Sequence, residues 1–277
     1  MEIQVLDDAI LVLNADDFDP QQTLESGQMF RFVQKNGVYL LKSGGESAKI
    51  SNIGAKNWKI ECKNPKFFVN YFDFETNYDI VKKELKKFDA CKKAVDYGWG
   101  IRILRQPLFE TLVCFVVSAN NNIKRIKNSV EKICEKFGSK IDDGYAFPTL
   151  KQLLKATVQD FAEAGLGYRA EYMVKMLKML DAGFPLDSLK DLPTEKAREE
   201  LIKLPGVGPK VADCVLLFGA HKKDVFPVDT WIAKVWKDQF GGEEENRKKI
   251  ANALVQKFGD LSGICQQYLF YYKRQTS

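Results

Sequence analysis

The stretch Leu204-Pro-Gly-Val-Gly-Pro-Lys-Val-Ala-Asp-Cys214 constrains this chain more than any other. Thr194 to Leu204 carries apolar residues at helical spacing, with Thr194 placed to cap it. Pro205 does not continue a helix easily, because its ring clashes with the preceding turn and it has no N–H. Gly206 and Gly208 tolerate left-handed backbone and close approach, and Pro209 suits the first turn of a new helix. The segment therefore reads as helix, tight glycine hairpin, helix. Lys210 falls in the first turn of the second helix, and Cys214 lies one turn further along the same face. Asp229, before Thr230-Trp231, reads as the start of another helix. The phosphate-loop pattern G-x-x-x-x-G-K-S/T and the dinucleotide pattern G-x-G-x-x-G both fail here. A hairpin opening a helix offers unpaired backbone N–H groups to an anion, and a lysine with an aspartate offers a nucleophile and a charge partner. On these residues alone, an ordinary corner between packed helices remains the rival reading.

The 277 residues can bury one large core or two domains. Forty-two basic and 37 acidic residues give a net charge of +5, which permits nucleic-acid binding without demanding it. The six cysteines (62, 91, 114, 134, 214 and 265) form no C-x-x-C pair, which argues against zinc ribbons and an iron–sulfur cluster. One histidine, His221, excludes any mechanism or metal site that needs two. The N-terminus lacks the basic and apolar regions of a targeting segment, and no apolar run approaches a membrane span. The expectation is a cytoplasmic protein with reduced thiols and no membrane partner, nucleoid-associated if the source is prokaryotic.

To about residue 65 the chain alternates strand-like runs with turn residues. Ile10–Leu13, Met29–Val33, Val38–Leu41 and Trp58–Glu61 are the predicted strands, with turns at Asn36-Gly37 and Gly44-Gly45 and a short helix at Pro20–Glu25. Beyond that the period becomes helical. Predicted helices include Pro65–Tyr71, Asp79–Lys87, Leu108–Ala119, Ile123–Phe137, Leu150–Ala162, Ala170–Asp181, Glu245–Phe258 and Leu261–Lys273. The fold class is α+β: a twisted antiparallel sheet domain with flanking helices (1–98), then a mostly helical region (99–277).

The hairpin with Phe226-Pro-Val-Asp-Thr-Trp231 resembles the helix–hairpin–helix DNA glycosylase superfamily. Within it, Leu204–Cys214 looks like the 8-oxoguanine DNA glycosylases. Gly27-Gln-Met-Phe-Arg31, Ile101–Gln106, Ser118–Ile123, Gly165–Arg169 and Gln266–Phe270 fit that family in order, over nearly the whole chain. The resemblance implies a base-excision repair enzyme that flips 8-oxoguanine out of duplex DNA. Lys210 would attack the sugar C1′, leaving an imine from which the strand is nicked by β-elimination. Asp229 would stabilise positive charge on the sugar; alone, it is equally a helix cap. The Gly27 carbonyl would accept the N7–H that distinguishes 8-oxoguanine from guanine. Phe270 and Cys214 would stack on the flipped base, and Gln266 would bond its Watson–Crick edge. Asn120, Tyr168 and Arg169 would fill the vacated stack, and Asn120, Arg125 and Arg169 would hold an opposite cytosine. Gly206, Val207 and Gly208 would grip the DNA backbone. Without the family, Gly27 is a turn glycine, Cys214 and Phe270 are core residues, Gln266 is a surface glutamine, and Asn120–Asn122 is a capping turn. Trp231 departs from the histidine that many relatives carry there, so it is assigned to packing. No cofactor is expected beyond allowance for a structural monovalent or divalent cation at the hairpin. A monomer is expected. A glycosylase for another oxidised purine and a non-catalytic DNA-damage-binding module are the alternatives; binding alone needs neither Lys210 nor Asp229.

Overall fold

The computed structural model describes residues 1–277. Six strands, β1 (Glu2–Val5), β2 (Ala9–Leu13), β3 (Phe32–Lys35), β4 (Val38–Ser43), β5 (Glu46–Gly54) and β6 (Asn57–Cys62), form one antiparallel sheet. Its order is β1-β2-β6-β5-β4-β3. Asn36 and Gly37 both take positive φ (52° and 77°), which matches the right-handed twist of the β3–β4 hairpin. Cross-strand pairs such as Tyr39–Ile50, Ile50–Ile60 and Ile10–Ile60 put the buried side chains on one face. Helices α1 (Pro20–Glu25) and α2 (Pro65–Tyr71) supply Leu24, Phe68 and Tyr71 to the core beneath that face.

The sheet and the α1 helix agree with expectation, with three differences. β3 begins at Phe32, leaving Met29 and Phe30 outside the sheet but buried. β1 and β5 are additional strands. In β5 only Ala48 and Ile50 are buried, so its sequence shows little alternation.

The helical part begins with α3 (Tyr78–Leu85) and α4 (Asp89–Tyr97), both of which contribute to the larger, helical core. Helix α5 (Leu108–Ser118) runs through its centre, buried along almost its whole length. Then come α6 (Ile123–Phe137), the small hairpin of β7 (Lys140–Ile141) and β8 (Gly144–Tyr145), α7 (Leu150–Leu153), α8 (Val158–Glu163) and α9 (Arg169–Asp181). The single helix predicted over 150–162 is two helices. Thr157 and Asp160 close a capping box that starts α8 afresh. Helices α10 (Thr194–Ile202), α11 (Pro209–Phe218), α12 (Thr230–Phe240), α13 (Arg247–Phe258) and α14 (Ser262–Thr276) complete the chain. Thr194 is not the cap of α10: it is the first helical residue, and its hydroxyl donates to Asp224 at 2.7 Å. No helix is long and apolar enough to cross a membrane.

Candidate active site

The hairpin between α10 and α11 forms as its residue types demand. Gly206 has φ +83°, and a Cβ there would stand 3.1 Å from Tyr172 Cβ and 3.3 Å from Val116 Cγ1. The Val207 N–H closes the turn on the Leu204 carbonyl (3.1 Å). Gly208 begins α11 with no side-chain cap, and the space beside its Cα is open. The first turn of α11 thus presents bare N–H groups at an accessible helix start. No three His, Cys, Asp or Glu side chains gather as a metal site, so a cation at the hairpin would rest on backbone carbonyls.

Lys210 and Asp229 come together in one groove of about 820 Å³, whose wall also includes Asn120, Gly206 and Gly208. The Lys210 ammonium rests over the ring of Phe115 on α5, 5.4 Å from its centre. Phe115 is held between Phe218, stacked at 5.5 Å, and Phe30, edge-on at 5.6 Å. Asp229 caps α12 through Oδ1 alone, which accepts the N–H groups of Trp231 (3.0 Å) and Ile232 (2.9 Å). Oδ2 takes no part in the cap, so one carboxylate fixes the helix and still offers an oxygen to the groove. Cys214, one turn beyond Lys210, is 4% exposed. Burial pushes its thiol up to about 11, against the pull of the Lys210 charge, so the sulfur is neutral at pH 7.

Gly27, Gln266 and Phe270, like Cys214, do not line the groove: Gly27 packs against Phe270, and Gln266 lies one turn before Phe270 on α14. The Gly27 turn, at φ +83°, is stapled by Gln267 Nε2 to the Ser26 carbonyl (2.7 Å) and by Gln106 Nε2 to the Gln28 carbonyl (2.6 Å). A Cβ on Gly27 would meet Phe270 Cε1 at 3.1 Å, so only glycine lets this turn approach the ring. Helix α14 reaches α11 because Gly263 leaves room for Leu217, whose Cδ1 fills the space that a Cβ would need. Gln266 is 5% exposed, and its Oε1 is buried without a partner.

The remaining expected residues cluster at the α5–α6 and α8–α9 turns. Asn120 has φ +47°, is exposed, and faces the groove. Asn122 caps α6 by accepting the Arg125 backbone N–H (3.0 Å), and the Arg125 side chain is exposed. Tyr168 is 60% exposed at the start of α9. Arg169 is placed otherwise than its neighbours: only 7% exposed, it braces the asparagine turn by donating to the Ala119 (2.6 Å), Asn120 (2.8 Å) and Leu166 (3.2 Å) carbonyls. Trp231 is half-buried under Lys234.

Several neighbours of the site were not anticipated. Phe115 lies within the apolar run Leu112–Val117 and carries no signal of its own. Arg198 and Asp213 pair at 2.6 Å in the groove floor, and Asn246, Arg247 and Lys248 form its far wall. An α10 arginine facing an α11 aspartate could have been found from helical spacing once the hairpin angle was known.

Residues 113–259 match the family described as HhH-GPD superfamily base excision DNA repair protein, and residues 10–112 match the N-terminal domain of 8-oxoguanine DNA glycosylase. The chain belongs to the HhH-GPD superfamily of base excision DNA repair proteins. Among superfamily members, the N-glycosylase/DNA lyase of Saccharomyces cerevisiae is 39% identical over 83% of this chain and 70% of its own length. N-glycosylase/DNA lyase OGG1 of Arabidopsis thaliana is 34% identical over 62% of this chain and 51% of its own. The 8-oxoguanine glycosylase/lyase of Clostridium acetobutylicum, solved with double-stranded DNA containing cytosine opposite 8-oxoguanine, superposes with a TM-score of 0.94 at 38% identity, covering 99% and 98% of the two chains. The HhH-GPD match spans the hairpin, Lys210 and Asp229; the N-terminal match spans Gly27.

Proposed function

We propose that this chain is a bifunctional 8-oxoguanine DNA glycosylase and abasic-site lyase. The observation that carries the reading is that Lys210 and Asp229 line one groove together with the glycines of the hairpin. Phosphates of the lesion strand bind the N–H groups of the hairpin (Gly206, Val207, Gly208), which positions DNA without reading sequence. The flipped base passes behind the groove, between Phe270 and Cys214. Its N7–H donates to the Gly27 carbonyl, and its Watson–Crick edge meets Gln266, whose unpartnered Oε1 suits the N1–H and N2–H donors of a guanine. The Lys210 amine attacks C1′ as the glycosidic bond breaks, and the free oxygen of Asp229 faces the positive charge that builds on the sugar. The resulting imine acidifies the neighbouring C2′ position, and β-elimination cuts the strand.

On the opposite strand, the exposed Asn120 and Arg125 offer donors to the acceptor edge of cytosine, and Tyr168 enters the vacated stack. Arg169 serves the same end as a brace, with one N–H on each of Nη1 and Nη2 left for the orphaned base. The site is built from one chain and needs no second copy, which supports action as a monomer on chromosomal duplex DNA.

Borohydride trapping on duplexes carrying 8-oxoguanine opposite each of the four bases tests this reading. A covalent adduct forms with the unmodified chain, fastest opposite cytosine, and is absent with Lys210→Gln. No adduct with the unmodified chain refutes the imine; an adduct that survives Lys210→Gln refutes the lysine; equal rates opposite all four bases refute the cytosine preference.

A further inference from the structure

Two buried polar atoms on α14 lack a partner: the acceptor Gln266 Oε1 and a donor, Arg274 Nη1. The first belongs to the pocket already described. The second does not. Arg274 lies one turn beyond Phe270 on α14, and helical side chains lean toward the N-terminus, so its guanidinium folds back over the Phe270 ring, 5.2 Å from the centre. Nη2 donates to the Glu25 carbonyl at the end of α1, which fixes the fork. Nη1 then stands 3.1 Å from the position a Gly27 Cβ would occupy. A cationic donor is therefore held beside the backbone assigned to the N7–H, with nothing to bond. Leaving such a group buried and unmet is unfavourable, and a structural arginine would avoid it by turning either nitrogen to a carbonyl.

We propose that Arg274 is a specificity-determining residue of the base pocket: its Nη1–H donates to a carbonyl oxygen flanking the N7–H of the extruded purine. This rests on the assignment of Gly27 and Phe270 to that pocket. The oxygen on C8 and the oxygen on C6 both flank N7–H in 8-oxoguanine. A carbonyl at Gly27 with an N–H beside it forms an acceptor–donor pair matching N7–H and one adjacent oxygen. Guanine presents a lone pair at N7 instead, so it would meet the Gly27 carbonyl unfavourably even where its C6 oxygen reached Arg274.

Equilibrium binding to uncleavable duplexes tests the proposal. The probes are 2′-fluoro nucleotides bearing 8-oxoguanine or 8-oxoadenine, and a tetrahydrofuran abasic analogue, read by fluorescence anisotropy. The quantity is the affinity for each base-bearing duplex relative to the abasic one on the same preparation, so any change in folded fraction cancels. Arg274→Leu is expected to lower this ratio for 8-oxoguanine about tenfold or more, and Arg274→Lys to restore part of it. A loss shared by 8-oxoadenine assigns the C8 oxygen; a loss confined to 8-oxoguanine assigns the C6 oxygen. An unchanged ratio overturns the proposal, as does equal weakening on all three duplexes. Tighter binding of the 8-oxoguanine duplex overturns it too, since Arg274 would then merely obstruct the pocket. No glycosidic bond breaks in this assay, so its outcome is independent of whether Lys210 forms an imine.

Discussion

Asp229 divides its two carboxylate oxygens between different tasks. One secures the first turn of α12, and the other is left for the groove. Asn caps a helix about as well as Asp, so Asp229→Asn separates the tasks. Thermal stability should change by less than about 0.5 kcal/mol, while single-turnover excision of 8-oxoguanine should fall about 10²- to 10³-fold. Retained excision at unchanged stability would remove Asp229 from the chemistry. At this scale the sequence spoke clearly wherever a residue type is rare for its position: a lysine at a helix start, or an aspartate after Pro-Val. It was silent on Phe115 and Arg274, whose roles come from what they face across the fold. Arg169 shows the reverse problem. Its motif was readable, but three backbone carbonyls from two turns engage it, and their convergence is a tertiary fact.

Among the elements, α13 is the one whose role changes most. Its periodicity was legible and its amphipathic face packs on α14, yet its first turn also forms a wall of the groove. Asn246 accepts the N–H groups of Lys248 (3.0 Å) and Lys249 (3.2 Å), holding Arg247 and Lys248 on that wall. If DNA fills the groove, Arg247→Ala with Lys248→Ala should weaken duplex binding. The same pair should flatten the dependence of log K on log salt by about 0.9 for each phosphate no longer neutralised. Titrations between low and physiological salt measure the slope, and an unchanged slope would place α13 off the DNA path. Helices with strong period and clear breakers were readable to within a residue or two, Ile123–Phe137 among them. The break between α7 and α8 was hidden, because Leu153, Ala156 and Phe161 keep apolar spacing across it while the Thr157 cap restarts the helix. β5 was hidden for the opposite reason: pairing on both sides makes it a strand, although its own side chains are mostly polar.

Across the whole molecule, a buried ionic cluster joins the sheet-bearing part to α11. Asp73, fully buried just after α2, accepts from Arg105 Nε (2.9 Å) and Thr76 Oγ1 (2.9 Å). His221 Nε2 and Lys223 Nζ, from the α11–α12 connection, lie 3.6 and 3.8 Å from its other oxygen. Burial alone would raise the Asp73 carboxyl, but His221, Lys223 and Arg105 outweigh it and hold the group well below the usual range. Burial also depresses the His221 imidazole below its ordinary value of 6.5. In both cases the unfolded chain takes up protons more readily. The His221 contribution is therefore complete above about pH 6.5 and the Asp73 contribution above about pH 4, and each is lost as pH falls through the folded-state value. Asp73→Asn leaves buried cations without their anion, so it should cost about 3–5 kcal/mol at pH 7 and flatten the acid limb of the stability curve. Urea titrations across a pH series would show both, and an unchanged midpoint at pH 7 would mean that the cluster does not hold the two parts together. His221 also gives the chain a built-in reporter. It is the only imidazole in 277 residues, so in a sample labelled at histidine its ring correlations arise from one residue. Helix α11, a rod of about 15 Å, joins it to Lys210. Chemical-shift changes of those correlations on adding lesion duplex would register DNA engagement at the far end of the rod.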